Sequence, residues 1–476
     1  MRQIKNKRVK SVSIKSFATL DTKFPLDNLP PEILHLIHKY LGPTDVAKIR
    51  LVSQRVAQIG LEYLVPCIHL QLTTASYNRL SAISRHPVIS KHVFEIRYES
   101  DVMKQFSWED FKKWRMTSRE TASSIHERRS RRPCTRAQCK LEEEHERSEM
   151  EKIQAAYQVH QSFLKDQTEL ERQAFLSSEV SVAFLRLPNL IRLETGELWN
   201  HERFLRSLQV IFGRDLEGIK IPEGGWYWPS GLSSSGIDLG LNAPITATML
   251  HGLGWAKSNI EQLVNPTLHW RVFWQTDSGD GIIKSSLCKV RRMKVAFDGP
   301  KGLGQRAERE HREFEECLTK RRPFKFLTYC PDLTHLDLTW HECFPYDELD
   351  LQNFVIDFIW HHLRSVAFTC FCITEAAFID FFARHSTSLD QISLCYITII
   401  EGTWHSTFNR MRKVLRLKKV SVSGVFHQND DDDWWMYPDP YWNEGKQPYG
   451  DYVKEYLEDH SDREMRLDVL VRDGHV

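Results

Sequence analysis

The stretch Leu333-Thr334-His335-Leu336-Asp337-Leu338 places apolar residues at its first, fourth and sixth positions. Three further stretches with this L-x-x-L-x-L spacing follow at intervals of 30, 26 and 28 residues, and two looser copies precede it. The first of the looser copies lacks the third apolar position. Alternation of apolar and polar residues predicts a strand with one buried face in each copy. The other copies begin at Leu190, Val290, Leu363, Leu389 and Leu417.

Helix-like segments lie between these copies, at 354–362 and 375–385, with Phe and Ile on one face. A unit of one strand and one helix cannot bury its own apolar face, so successive copies must stack. The spacing and the repeat length resemble those of leucine-rich repeats. The resemblance implies an irregular α/β solenoid whose strands line the concave face, with long insertions between repeats. A non-solenoid α/β domain with coincidental spacing is the alternative interpretation.

Two other regions determine how far the repeats extend. Period-two runs at 66–72 and 93–98 predict half-buried strands, and a first repeat-like unit begins there. Residues 196–285 match no copy of the repeat. Their content of Gly, Pro and Ser predicts long loops inserted between repeats.

A helical pattern precedes the repeats. Apolar residues recur at helical spacing over Leu29–Leu41, where Pro30-Pro31 suits the start of a helix and Gly42-Pro43 ends it. The same spacing continues over Val46–Val56. Three helices are therefore predicted between residues 26 and 64. A unit of this size is too small to bury all of its apolar side chains, so we expect another surface to cover one of its faces.

The residues of this helical segment resemble the F-box pattern in their order and spacing. Many F-boxes place an aromatic residue after the Ser-x-Arg segment, whereas this sequence has Val56. An unrelated helical hairpin with the same spacing is the alternative. The resemblance rests on Leu26, Leu29, Pro30, Glu32, Ile33, Ile37, Tyr40, Leu41, Asp45, Arg50, Leu51, Val52, Ser53 and Arg55.

The resemblance implies that residues 24–64 dock on a Skp-family linker protein, and through it on cullin, within an SCF-type cullin-RING ubiquitin ligase. The repeats then bind an unknown protein substrate, and the chain supplies proximity rather than catalysis. Two alternatives are an F-box scaffold that acts outside a ubiquitin ligase and an enzymatic fold hidden in residues 196–330. The linker-binding residues implied by the resemblance are Leu29, Pro30, Ile33, Ile37, Leu41 and Val52.

Shifts in composition predict the domain plan. Basic and acidic runs surround residue 135. Near the C-terminus, Asp430–Asp433 precedes the aromatic pair Trp434-Trp435. This acidic and aromatic segment suits either a cap over the end of the repeats or a binding tail. The predicted parts are a disordered basic tail at 1–23, the F-box at 24–64, a linker with the first repeat-like unit at 65–117, a charged disordered insertion at 118–149, the degenerate leucine-rich-repeat-like substrate-binding domain at 150–428, and the acidic aromatic cap or tail at 429–476.

The composition describes a folded protein without a strong overall field. The 476 residues are 41% hydrophobic, and 64 Lys and Arg stand against 63 Asp and Glu, which disfavours nucleic acid as a partner. The ten cysteines are scattered without repeated pairs, as expected for thiols in a reducing compartment. Long apolar runs and an apolar signal sequence are absent, so we expect no membrane association and a cytoplasmic or nuclear location.

Motifs for catalysis, cofactors and metals are weak in this sequence. The glycines of 299–304 lack a following Gly-Lys-Ser or Gly-Lys-Thr, which a phosphate-binding loop requires. Cys134 and Cys139 with His145, or a second pair at 341 and 343, lack the C-x-x-C spacing of zinc sites. The Arg-rich run at 128–136 lacks the aromatic residues that stack on bases. We therefore expect no cofactor, no metal and no catalytic site.

Overall fold

A computed structural model of the chain divides it into two units, Met1–Val65 and Pro66–Val476. The basic tail predicted at 1–23 lies outside the residues that the structure describes. The described residues are 25–99, 107–112, 136–172, 176–196, 242–277, 280–300, 305–340, 349–355, 357–428, 432–436 and 449–459.

Three short helices form the first unit. Proline stands at the start of the first two helices, where its missing N–H would have no partner within the helix. The third helix is capped by Ser53, whose Oγ accepts a hydrogen bond from the Val56 N–H at 3.2 Å. The helices are α1 (Pro31–Tyr40), α2 (Pro43–Ile49) and α3 (Gln54–Gly60), with 3-10 turns at Pro25–Asn28 and Leu61–Tyr63.

The interior of this unit is small. Leu34, Val46 and Val56 are each at most 1% exposed, and they are joined by the buried ring of His38. The His38 Nδ1 donates to the Leu34 carbonyl at 2.7 Å, and the ring stacks on Tyr63 with centroids 5.7 Å apart. The core of the unit therefore consists of a few side chains from all three helices, and most of the apolar residues of α1 lie outside it.

The second unit contains a ten-stranded sheet whose strand order is the order of the chain. The first nine strands are parallel, and the tenth is antiparallel to the ninth. The strands are β1 (Cys67–Gln71), β2 (Glu95–Glu99), β3 (Arg192–Gly196), β4 (Gln262–His269), β5 (Arg292–Asp298), β6 (His335–Trp340), β7 (Ser365–Thr374), β8 (Gln391–Glu401), β9 (Lys419–Gln428) and β10 (Asp432–Met436).

Helices connect the parallel strands, as parallel pairing requires. The predicted plan of N-terminal helices followed by an α/β region with a parallel sheet is confirmed. The helices described in this unit are α4 (Thr74–Arg85), α5 (Arg136–Arg172), α6 (Leu176–Leu185), α7 (Asn242–Trp255), α8 (Val272–Asp277), α9 (Asp280–Leu287), α10 (Gln305–Thr319), α11 (Arg322–Thr328), α12 (Gln352–Val355), α13 (Glu375–His385), α14 (Trp404–Val414) and α15 (Tyr449–Glu458), with a 3-10 turn at Ile89–His92.

A single row of buried apolar residues crosses all nine parallel strands. Each member is the direct partner of the next in the sheet register, and none is more than 3% exposed. In the L-x-x-L-x-L copies this row is the fourth position. Its members are Ile68, Ile96, Leu193, Leu263, Met293, Leu336, Val366, Ile392 and Val420.

A repeated backbone contact joins each strand start to the next. The Arg291 carbonyl accepts from the N–H groups of Thr334 (2.7 Å) and His335 (3.0 Å), and the same double contact recurs at every junction from β1 to β9. Recurrence of one backbone geometry shows that successive units are equivalent despite their unequal lengths. The accepting carbonyls belong to Pro66, Phe94, Ile191, Glu261, Arg291, Thr334, Arg364 and Asp390.

Aromatic side chains bind the helices to one face of the sheet. The ring of Phe368 on β7 lies 5.6 Å from Phe381 on α13, and Trp404 on α14 lies 4.6 Å from Phe426 on β9. Between units, the indole N–H of the fully buried Trp360 donates to the Cys330 carbonyl at 3.1 Å. These contacts place the core on the helix side and leave the other face of the sheet polar.

The prediction of long loops over 196–285 is wrong from residue 242 onward, where α7, β4, α8 and α9 lie. The stretch Ile260–Asn265 is a repeat copy whose third apolar position is occupied by Asn265. Its amide Nδ2 donates to the Thr195 Oγ1 at 2.7 Å, and both side chains are buried. The two copies with a polar residue at the third apolar position lie on adjacent strands, and their buried polar side chains form a hydrogen bond with each other. Apolar spacing does not reveal such a pair.

The charged insertion predicted to be disordered over 118–149 is helical from Arg136, because α5 begins there. Charges of both signs at helical spacing, such as Glu143 and Arg147, favour a helix over a repelling coil. Near its other end, the Asp166 carboxylate accepts from the N–H and the Oγ of Thr74, at 2.7 and 2.5 Å. This contact fixes α5 at the start of α4. Residues 118–135 lie outside the described residues.

The C-terminal segment packs on the last parallel strand. Helix α15 buries Val453, Tyr456 and Leu457, and the Glu458 carboxylate accepts from the Val420 N–H at 2.8 Å. The guanidinium of Arg412 lies 4.3 Å from the Tyr456 ring centroid. Together with the antiparallel strand β10, these contacts end the parallel series at β9.

Candidate functional site

The first unit exposes large apolar side chains along α1. Ile33 is 41% exposed, Leu36 is 50% exposed and Tyr40 is 81% exposed. The three positions are separated by three and four residues, so they lie on one side of the helix. Beyond α2, the neighbouring residues Leu51 and Val52 are 87% and 37% exposed. These five residues are called the exposed apolar set.

The residues implied by the resemblance all reach the surface. Ile33 and Val52 belong to the exposed apolar set, and the others are exposed or half-buried. Leu36, Tyr40 and Leu51 were not among the predicted binding residues, although all three are more exposed than Ile33. Two sequence features could have identified these three residues: the helical spacing of apolar residues in α1 and the Leu-Val pair after Arg50. The remaining predicted residues are Leu29, Pro30, Ile37 and Leu41.

Polar contacts hold the exposed apolar set in place. The Arg50 Nε donates to the Ala57 carbonyl at 3.1 Å, which ties the turn carrying Leu51 to α3. A methyl group at the buried Gly60 would collide with the Arg50 side chain, so this close approach requires glycine. The His35 Nδ1 lies 3.1 Å from the Tyr63 hydroxyl, which ties α1 to the final turn of the unit.

A group of large apolar side chains on a small polar surface marks an interface with another protein. Exposing Leu36, Tyr40 and Leu51 to water is unfavourable by about 25 cal/mol per Å² of apolar surface, and a partner that covers them recovers this free energy. The unit therefore has the properties of a docking module.

The polar face of the sheet is the second candidate surface. On β2 and β3, charges pair both along and across the strands: within one strand Arg97 lies 2.8 Å from Glu95 and Arg192 lies 2.9 Å from Glu194, and between the strands Arg192 lies 3.1 Å from Glu95. Burial raises the pKa of Glu95, but the Arg97 hydrogen bond and the charge of Arg192 outweigh it, so the net pKa is lowered. This end of the face is electrically neutralised by its own side chains.

The middle of the same face, on β3 to β7, carries a concavity of about 280 Å³. Lys294 pairs there with Asp337 at 3.0 Å. Partial burial, followed by the positive charges of Arg292 and Arg364, lowers the pKa of His335. The lining residues are Arg192, Gln262, Val264, Arg292, Met293, Lys294, His335, Leu336, Asp337, Ser365 and Ala367.

Sites for other chemistry were sought in the described part of the chain. No group of three or more His, Cys, Asp or Glu there could hold a metal ion. The side chains of Cys134, Cys139 and His145, and the pair at 341 and 343, lie outside the described residues. On the sheet face, burial and then the Glu95 charge raise the pKa of the Cys67 thiol to about 12, which makes it a poor nucleophile.

The cysteines and the helices can be compared with the predictions of a reducing compartment and of no membrane association. Six described cysteines are free thiols, whereas Cys370 is disulfide-bonded, so the expectation of thiols throughout is wrong at this position. The free thiols are Cys67, Cys288, Cys317, Cys330, Cys372 and Cys395. None of the described helices is long and apolar enough to cross a membrane.

Comparison with known protein families identifies a domain in the first unit. The family model of the F-box domain matches residues 26–59, which cover α1, α2 and all of α3 except Gly60. The matched residues include all five members of the exposed apolar set. The predicted F-box at 24–64 is confirmed within these bounds. No curated protein matches the chain. Residues 26–59 of this chain are an F-box domain.

Proposed function

We propose that this chain is the substrate-recognition adaptor of an SCF-type cullin-RING ubiquitin ligase. The observation that carries the proposal is the exposed apolar set on an F-box domain, the surface expected of a module that docks on a Skp-family linker. Ile33, Leu36 and Leu51 are proposed to be its central contacts, because central apolar residues supply most of the energy of an interface. Leu29, Pro30, Ile37, Leu41 and Val52 complete the proposed surface.

The second unit is proposed to be a solenoid of degenerate leucine-rich repeats that binds the substrate. Support comes from the row of nine register partners, the recurring double contact at each strand start and the identity of strand order and chain order. The polar face of the sheet is not covered by the aromatic contacts of the helices. It is therefore the proposed substrate surface.

The chain is proposed to be non-catalytic and to reside in the cytoplasm, the nucleus or both. Ubiquitin transfer then belongs to other subunits, and this chain holds a substrate near them, which raises the effective concentration of the substrate lysine. Six free cysteines against one bridged cysteine among the described residues favour a reducing compartment.

Binding of the full chain to a Skp-family linker tests the proposal. The variant Leu36→Ala/Leu51→Ala removes two side chains that are 50% and 87% exposed. We expect its affinity for the linker to fall at least about tenfold, because truncation of interface anchors typically costs more than about 1 kcal/mol each. Surface plasmon resonance with immobilised linker gives the dissociation constants.

The matched control is Leu185→Ala/Trp255→Ala, which removes two side chains of the second unit that are 58% and 64% exposed. Its affinity for the linker should equal that of the wild type. An equal loss in both double variants, or no binding by the folded wild type, would contradict the docking surface.

The rival role, a scaffold that acts outside a ubiquitin ligase, is distinguished by the composition of the complex. An adaptor bound to its linker recruits cullin, whereas a scaffold does not. Purification of the tagged chain from cells, followed by quantification of cullin relative to linker, decides between them. A complex that contains linker at full occupancy and no cullin would overturn the adaptor role while leaving the F-box interface intact.

A further inference from the structure

Charge is distributed unevenly over the polar face of the sheet. Glu95 and Glu194 neutralise the arginines of β2 and β3, and the Lys418 Nζ on the far side lies 3.1 Å from the Asp390 carboxylate. Between these two neutral ends, the exposed Arg292 begins β5 and the exposed Arg364 directly precedes β7. The middle of the face is therefore the part where positive charge is not neutralised by nearby carboxylates.

Neither arginine has an ion-pair partner within 4.0 Å in the described part of the chain. The two nearby carboxylates pair with lysines, Asp337 with Lys294 and Asp390 through Oδ2 with Lys418. Arg292 is the register partner of His335 on one side, and Arg364 directly precedes Ser365, the register partner of His335 on the other side. Two unpaired guanidinium groups therefore flank one residue of the concavity.

The concavity is lined by Arg292, His335 and Ser365, and Arg364 directly precedes Ser365 in the chain. Val264 and Ala367 give it apolar lining, while Gln262, His335 and Ser365 provide polar groups around it. Adjacent strands lie about 4.8 Å apart, so the starts of β5 and β7 are separated by about 10 Å. A chain segment with neighbouring carboxylates can contact both arginines across this distance.

We infer that the middle of the sheet face, around Arg292, His335 and Arg364, binds an acidic segment of the substrate protein through its Asp and Glu side chains. This inference rests on the proposed adaptor function and names the class of substrate that the adaptor selects. Guanidinium groups suit the role, because their planar N–H pairs match a carboxylate in geometry and charge. The occupant is a protein segment rich in carboxylates.

Fluorescence anisotropy with the full chain and labelled peptides tests this inference. The probe is a Glu-Gly repeat peptide, and the comparison peptide has Gln in place of every Glu. We expect the wild-type chain to bind the Glu-Gly peptide alone, more weakly as salt is raised. The double variant Arg292→Gln/Arg364→Gln should bind about tenfold more weakly, as expected for the loss of two partly exposed ion pairs.

The matched control is Arg85→Gln/Arg186→Gln, which removes two exposed arginines that are not on the sheet face. Its affinity should equal that of the wild type, and an equal loss in both variants would overturn the inference. The inference would also be overturned if the wild-type chain did not bind the Glu-Gly peptide, or if it bound a phosphoserine-Gly peptide instead. Linker binding is measured on the same preparation. If the chain binds the linker but not the Glu-Gly peptide, only the inference about the acidic segment is contradicted. If the chain does not bind the linker, the proposed adaptor function itself is contradicted.

Discussion

The two units of this chain treat apolar side chains in opposite ways. In the F-box domain, Leu51 is 87% exposed and Tyr40 is 81% exposed, whereas in the sheet unit Trp360, Phe368 and their neighbours are fully buried. Three short helices cannot enclose all of their apolar residues, because a small unit has too much surface for its volume. A long sheet covered by helices can. The small size of the unit therefore leaves apolar residues exposed, and a docking partner can cover them.

The contrast extends to the forces available for binding. Apolar contacts at the F-box depend on buried area and respond weakly to salt. Contacts at Arg292 and Arg364 on the sheet face depend on charge and weaken as salt screens them, over a distance of about 8 Å at physiological ionic strength. One chain thus combines two surfaces with different physical responses.

The largest expected effect separates the two units by stability. Phe368→Ala should lower the free energy of unfolding of the sheet unit by about 3–5 kcal/mol, because it leaves a cavity where a fully buried ring stood. Leu51→Ala should change stability by less than about 0.5 kcal/mol, because its side chain is already in water. Urea denaturation followed by circular dichroism measures both. Equal shifts of the two midpoints would break the comparison.

A smaller effect is expected inside the sheet, at the buried polar pair. Asn265→Ala should destabilise the chain by about 1–3 kcal/mol, because it leaves the Thr195 hydroxyl buried without its partner. The double variant Asn265→Leu/Thr195→Val replaces the pair by apolar groups of similar shape and should recover most of that loss. Urea midpoints of the single and double variants decide the matter. A double variant less stable than Asn265→Ala would show that the pair does more than satisfy its own polarity.

The smallest expected effect concerns pH. Buried His385 accepts from the Trp360 N–H at Nε2 (3.1 Å) and faces the Phe381 carbonyl with Nδ1 (2.8 Å), so both nitrogens suit the neutral ring. Burial is the main cause that lowers its pKa. The unfolded chain therefore binds the proton more readily, and stability falls as pH drops below about 6.5, the ordinary histidine pKa.

His385→Asn should show a shallower loss of stability than the wild type when the pH is lowered from neutral. The exposed His362, changed to Asn, serves as the control and should leave the pH dependence unchanged. Thermal unfolding at a series of pH values gives the comparison. An identical pH dependence in all three proteins would exclude a role for His385.

Prediction from sequence succeeded where one pattern determined one structure. The L-x-x-L-x-L copies at Val290 and Leu333 predict β5 and β6, and each copy contributes one residue to the buried row. It failed at β4, because Asn265 replaces the apolar residue that marks a copy. The partner that makes this asparagine tolerable, Thr195, lies 70 residues earlier in the chain. No local pattern can reveal a pair of that kind.

The binding surfaces show the same limit. Helical spacing identified the apolar side of α1, but it could not distinguish Leu34, which is 1% exposed, from Leu36, which is 50% exposed. Both are leucines of one helix, and only the packing of α2 and α3 determines which of them is covered. On the sheet face, the arginines at 97 and 292 look alike in sequence. A cross-strand carboxylate, Glu194, lies 3.5 Å from Arg97, whereas Arg292 has no ion-pair partner among the described residues.

The sequence by itself determined the F-box helices, the strand positions in the L-x-x-L-x-L copies and the order of the two units, because periodicity and turn residues act over a few neighbouring positions. Tertiary structure alone decided that Asn265 pairs with Thr195 and that Arg292 and Arg364 lie on the strands beside His335. These features depend on residues brought together from distant parts of the chain. Their energies arise only after the sheet has assembled, so local sequence carries no record of them.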